Sequence, residues 1–135
     1  MKITIIGTGY VGLVTGVCLA EIGHSIFLHD IDQEKIKLLK SKKIPIYEPG
    51  LLKLLKKHLK AKNIKIESDA YEALTASSIY FICVGTPQLR NGKPNLKYLH
   101  DISNDIKDYI DQNKSNRKIF IVLKSTIPPG TTKEL

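Results

Sequence analysis

Read as a sequence, this 135-residue chain predicts an α/β fold, a doubly wound and mainly parallel sheet with helices on both faces. Two observations carry that expectation. Short apolar runs alternate with longer amphipathic ones along the chain, and strands alternating with helices imply right-handed crossovers between parallel neighbours. The apolar runs also lack inside–outside alternation, as strands covered on both sides do. The length suits one domain with a core that needs no metal or disulfide staple.

The elements follow in order. Ile3 to Ile6 reads as a buried strand, followed by a helix from about Tyr10 to Ile22 and a stop at Gly23. Ser25 to Asp30 is the second strand, and Asp32 to Lys43 a helix with Ile36, Leu39 and Lys40 in its pattern. After a break at Pro45, Pro49 is expected in the first turn of a leucine-rich helix running to about Leu59, where a missing N–H is no loss. Ile64 to Glu67 is a third strand, Asp69 to Ala76 a short helix, and Ile79 to Val84 a strongly apolar fourth strand. Asn95 then caps a helix whose apolar face carries Leu99, Ile102, Ile106 and Tyr109. Ile119 to Leu123 is the fifth strand, and Ser125 to Gly130 a loop.

Composition excludes several classes. Hydrophobic residues make up 42% and charged residues 25%, which is ordinary for a globular protein. Two cysteines, Cys18 and Cys83, are too few for a disulfide scaffold, suit a reducing cytosol, and read as small apolar core residues. Lys2 and the apolar stretch after it superficially resemble an export leader, but Gly7, Gly9, Gly12 and Gly16 interrupt it. No segment supplies the apolar length of a membrane span. The expectation is a soluble, unprocessed, cytoplasmic chain.

A net charge of +8 raises the question of an anionic partner. Lys53, Lys56, Lys57 and Lys60 form a stripe at helical spacing, which a solvated face opposite the leucines explains equally well. Only Arg90 and Arg117 are arginine, and no aromatic residues interleave with the stripe, so no nucleic-acid partner is expected. The four histidines show no metal-ligand spacing, so no metal site is expected.

The chemistry lies in the glycines. Gly7-Thr8-Gly9-Tyr10-Val11-Gly12 matches G-x-G-x-x-G between a predicted strand and a predicted helix, the context that a Rossmann-type dinucleotide site requires. The first glycine permits the turn, the second lets a diphosphate approach the backbone, and the third lets helix and strand pack closely. The N–H groups that open the helix, at Tyr10 and Val11, then favour the diphosphate. Asp30 ends the second strand 18 residues after Gly12, where a carboxylate accepts from the ribose hydroxyls. Its charge would repel a 2′-phosphate, so the predicted cofactor is NAD rather than NADP. Helix capping is the alternative role, and Asp32 competes for both. Val84-Gly85-Thr86-Pro87 and Ser125-Thr126 follow the fourth and fifth strands, at the sheet edge that holds ligands. Turn formation and hydroxyl capping explain these residues about as well.

With these segments in hand, the chain resembles the NAD-binding domain of the UDP-glucose/GDP-mannose dehydrogenase family. The likeness rests on Gly7 to Leu13, on Pro45-Ile46-Tyr47-Glu48-Pro49-Gly50-Leu51, on Val84 to Pro87 and on Lys124-Ser125-Thr126-Ile127-Pro128. These occur in family order and cover essentially the whole chain. The resemblance implies NAD contacts at Val11, Asp30, Lys35, Thr86 and Thr126. Lys35 would lie near the adenosine ribose, although a solvated helix lysine is the commoner fate. Thr126 would be an auxiliary catalytic residue, positioning a water or a substrate hydroxyl.

The resemblance also implies an activity. The family oxidises the C6 alcohol of a nucleotide sugar to a carboxylate in two hydride transfers to NAD, and a cysteine in a later Gly-rich segment captures the aldehyde. Neither Cys18 nor Cys83 matches that segment. Residues 1–135 therefore read as a truncated NAD-binding piece, inactive alone, with the central and C-terminal substrate domains past Leu135. Members that oxidise UDP-glucose to UDP-glucuronate, a step in polysaccharide biosynthesis, match best. GDP-mannose and UDP-N-acetyl-mannosamine dehydrogenases are the enzymatic rivals, and a non-catalytic NAD-binding module is the other. The whole protein is expected to be a homodimer, and the piece alone a monomer or weakly associated.

Overall fold

A computed structural model describes residues 1–113 and 118–133. Among them, five strands form one sheet: β1 (Lys2–Ile6), β2 (Ser25–His29), β3 (Ile64–Glu67), β4 (Ile79–Ile82) and β5 (Phe120–Leu123). Their order is β3-β2-β1-β4-β5 and every pairing is parallel. The helices are α1 (Tyr10–Glu21), α2 (Gln33–Lys40), α3 (Leu51–Lys60), α4 (Ala70–Ala76) and α5 (Lys97–Asn113). The chain winds outward from β1 to β3, then returns to place β4 on the other side of β1. That reversal opens a crevice above the carboxyl ends of β1 and β4, where open α/β sheets bind ligands.

Successive strand residues point to opposite faces, and both faces are packed. Ile3, Ile5, Ile26 and Leu28 meet Leu13, Val17, Leu39 and Leu55 on one side. Ile6, Tyr80 and Ile82 meet Leu74, Leu99, Ile102 and Ile106 on the other. The buried polar residue of β1, Thr4, donates to Ala73 O at 2.8 Å and pairs with Ser77 Oγ at 2.7 Å, so its burial leaves no orphan. Glu21 ties α1 to α3, accepting from Lys57 Nζ and pairing with the buried His58 Nε2, each at 2.6 Å. The Lys57 bond first, then His58, holds the Glu21 carboxyl below its ordinary range.

The structure departs from the sequence reading in definite places. The α2 helix ends at Lys40 rather than Lys43, because the chain turns at Lys42 with φ +60°. Pro49 lies outside α3: Gly50 caps that helix in the left-handed region, at φ +80°. Cys18 is exposed, not a core residue. The α1 helix buries the face carrying Gly12, Leu13, Gly16, Val17 and Ala20, which turns Val11, Cys18 and Ile22 outward. Nor is the sheet covered throughout. Phe120 and Ile121 on the edge strand β5 are 59% and 49% exposed, since among the described residues only β4 pairs with it. The lysine stripe is a solvated face, with Leu51 and Leu55 buried opposite. Among the described residues, which exclude Arg117, no helix is long and apolar enough to cross a membrane.

Candidate functional site

The glycine turn is built by close packing. Gly7 N–H donates to His29 O at 2.8 Å, continuing the β1–β2 ladder, and its φ of +96° suits glycine alone. A Cβ at Gly7 would sit 2.7 Å from Cys83 O, and one at Gly12 only 1.8 Å from Gly7 O. Those two glycines let β1, β4 and α1 meet. Gly9 differs: its backbone is extended, and a Cβ there would meet nothing within 4 Å. Gly9 also caps α1 without a side chain, and the first turn carries no acid. The N–H groups of Tyr10, Val11 and Gly12 therefore lack intrahelical acceptors at the positive end of the helix dipole, and a cradle stands open in front of them.

Asp30 borders the same space and is only 5% exposed. Its Oδ2 accepts from Thr8 N at 2.7 Å, from Thr8 Oγ1 at 2.9 Å and from Lys35 Nζ at 3.5 Å. Its Oδ1 accepts from Asp32 N at 3.0 Å. Burial by itself would raise the carboxyl's pKa, but the Thr8 and Asp32 N–H groups, the Thr8 hydroxyl and Lys35 outweigh it. The net result lies below the ordinary value of 3.8, so the group is ionised at neutral pH. Oδ2 is filled by its partners, which leaves Oδ1 with capacity for a ligand hydroxyl. Asp32 caps α2, accepting from Glu34 N at 3.0 Å and Lys35 N at 3.3 Å, and it lines the same cleft as Asp30.

The loops after β4 and β5 are tied together. Ser125 Oγ donates to Val84 O at 2.7 Å, and Thr86 Oγ1 donates to Thr126 O at 2.8 Å. Each hydroxyl directs its proton into the protein and keeps acceptor capacity on its oxygen. Cys83, beneath these loops, is buried, and burial pushes its thiol up to about 11 despite a small opposing pull from Lys124. It is protonated at neutral pH and is not a nucleophile.

These parts surround one cleft of about 810 Å³. Gly7, Gly9, Tyr10, Val11, Asp30 and Lys35 line one stretch of it, and Val84, Gly85, Thr86, Pro87, Ser125 and Thr126 another. Gly12 is the exception among the predicted residues, lying beneath the turn. Sequence reasoning missed Ser68 and Asp69 after β3, and Tyr98, Asp101 and Asp105 on α5, all of which line the cleft. Ser68 and Asp69 could have been found by the strand-end rule that found Thr86. The α5 residues carried no such signal. Among the described residues, no group of three or more histidines, cysteines or carboxylates is placed to hold a metal ion.

Comparison with known proteins follows the same lines. A family model described as the NAD binding domain of the UDP-glucose/GDP-mannose dehydrogenase family matches residues 1–135. UDP-glucose 6-dehydrogenase TuaD of Bacillus subtilis is 44% identical over 132 residues, 98% of this chain and 28% of that protein. GDP-mannose 6-dehydrogenase of Pseudomonas syringae pv. tomato is 41% identical over 131 residues, 97% of this chain and 30% of that one. Among solved structures, a ternary complex of GDP-mannose dehydrogenase from Pseudomonas aeruginosa matches with a TM-score of 0.93 at 36% identity. The match covers 98% of this chain and 30% of that one.

Proposed function

The chain belongs to the UDP-glucose/GDP-mannose dehydrogenase family, as its NAD-binding domain, and from that premise we propose that it serves a cytoplasmic, homodimeric 6-dehydrogenase converting UDP-glucose to UDP-glucuronate. The observation that carries the reading is the single cleft in which an open glycine cradle and the buried, ionised Asp30 face the same space. UDP-glucose as substrate is supported by a relative of that activity at 44% identity, with a GDP-mannose enzyme at 41% as the rival.

The residues fit the cofactor. The N–H groups of Tyr10 and Val11 would hold the diphosphate where Gly9 leaves room. Oδ1 of Asp30 would accept from the adenosine ribose, with Lys35 beside it. The tied loops Val84 to Pro87 and Ser125-Thr126 would wall the nicotinamide end, and Thr126 would orient a substrate hydroxyl or a water. When bound there, NAD would supply the oxidising power as a hydride acceptor. No thiol of this chain suits capture of the aldehyde: Cys83 borders the cleft but is buried and protonated, and Cys18 is exposed outside the cleft. Residues 1–135 span about 30% of the relatives' length. On this reading, the capturing cysteine and most sugar contacts would belong to further domains of the whole protein.

The test is NADH production by the whole protein with each nucleotide sugar. Turnover with UDP-glucose and not with GDP-mannose or UDP-N-acetyl-mannosamine supports the reading, and the reverse preference overturns it. Residues 1–135 alone should give no sustained NADH. Steady production abolished by Cys83→Ser would place the catalytic thiol in this chain after all.

A further inference from the structure

At the strand ends that line the cleft, the charges are sorted. Asp30 and Asp32 follow β2 and Asp69 follows β3, on one side of β1, whereas Lys124 follows β5, two strands away on the other. The Lys124 N–H donates to Ile82 O at 2.8 Å, carrying the β4–β5 ladder one residue past the strands. Leu123 packs in the cluster under α5, so strand alternation turns Lys124 to the opposite face, where Cys83 packs with Leu13 and Val17 of α1. Burial pushes the Cys83 thiol up and the Lys124 ammonium opposes it, so the charge stands near the end of β4. Lys35, also in the cleft, bonds Asp30. Lys124 has no anionic partner among the described residues.

On the reading of this cleft as the cofactor site, strand order sets cofactor order. A ribose at Asp30 lies over β2 and a diphosphate before α1 lies over β1, so the nicotinamide end reaches β4 and β5. The nicotinamide ring is cationic when oxidised and neutral when reduced, and no other part of the cofactor changes charge. An ammonium on that wall repels only the oxidised ring. We infer that Lys124 makes the site favour the reduced cofactor over the oxidised one, and so strengthens bound NAD as an oxidant. The electrons balance: the sugar carbon gives up a hydride, the alcohol oxygen gives its proton to water, and the hydride cancels the ring charge that Lys124 opposes. This rests on the reading of the cleft as the cofactor site.

The test is calorimetric titration of the chain with NAD and with NADH at low salt, for the unchanged protein, Lys124→Met and Lys124→Arg. The unchanged chain should prefer NADH, and the preference should fall about fivefold in Lys124→Met while Lys124→Arg retains it. The position is exposed and methionine keeps most of the stem, so urea unfolding should be unaltered. Equal affinities in the unchanged chain, or an undiminished preference in Lys124→Met, overturn the inference. Equal weakening of NAD and NADH also overturns it, by making Lys124 the counter-ion of the diphosphate. Loss of the preference in Lys124→Arg does so too, by tracing it to shape rather than charge. Each of these outcomes leaves the cofactor site standing. Failure of the unchanged chain to bind either cofactor overturns that site, and this inference with it.

Discussion

Gly9 and Gly12 belong to one turn, yet substituting them should separate binding from folding. At Gly12 an added methyl would lie 1.8 Å from Gly7 O and 3.0 Å from Cys83 Cβ. The obstacle is backbone, so relief requires β1 and α1 to move apart. Overpacking of this kind costs about 3 kcal/mol or more when backbone must shift. With a urea m-value of roughly 1.5 kcal/mol/M, Gly12→Ala should lower the unfolding midpoint by about 2 M. At Gly9 the backbone is extended and a Cβ meets nothing within 4 Å, so Gly9→Val should cost only about 1 kcal/mol, from placing a β-branched residue at the N-cap of α1. The valine would instead fill the cradle before the N–H groups of α1. Loss of two charge-assisted hydrogen bonds at roughly 1.5 kcal/mol each predicts NAD affinity at least about 100-fold weaker. Urea unfolding and calorimetry on both variants read the two effects. The reasoning fails if Gly9→Val binds NAD within about threefold of the unchanged chain, or unfolds as readily as Gly12→Ala.

Two further outcomes follow from ionisation and exposure. The folded pKa of Asp30 lies below its ordinary 3.8, so ionised Asp30 contributes its full stability above that value, and the contribution is lost as pH falls through the folded pKa. The stability gap between the unchanged chain and Asp30→Asn should therefore be constant near neutrality and shrink below about pH 4 in urea titrations. A gap that persists to about pH 2 would mean the charge contributes nothing. Maleimide at neutral pH should label exposed Cys18 and spare Cys83, whose thiol is held near 11, until the chain unfolds. Prompt labelling of Cys83 in the folded chain would contradict its burial.

The topology was legible because each strand is a short apolar run between turn signals, and the parallel order follows from the crossovers. Helix ends were less legible. Lys42 adopts a left-handed conformation that its residue type does not advertise, and Gly50 caps a helix whose first turn was expected to hold Pro49. Cys18 was misplaced because α1 is apolar all round, so its pattern does not say which side meets the sheet. The same ambiguity hid the exposure of β5, whose sequence Phe-Ile-Val-Leu reads like a buried strand. At the site, Asp30 was found by spacing, but the sequence did not show that Thr8 fills one of its oxygens. The α5 wall depends on how far the helix stands above the sheet, which the long loop after β4 determines and no local motif encodes.

The central claim is that Asp30 makes this cleft a site for NAD and against a 2′-phosphate. Titrating the unchanged chain and Asp30→Ala with NAD and with NADP tests it most directly. The unchanged chain should bind NAD at least about tenfold more tightly than NADP. Asp30→Ala should lose about 1–3 kcal/mol toward NAD while narrowing the difference between the two cofactors. Equal affinities in the unchanged chain would contradict the account, and so would a preference for NADP, which would make Lys35 the phosphate's partner in place of Asp30's.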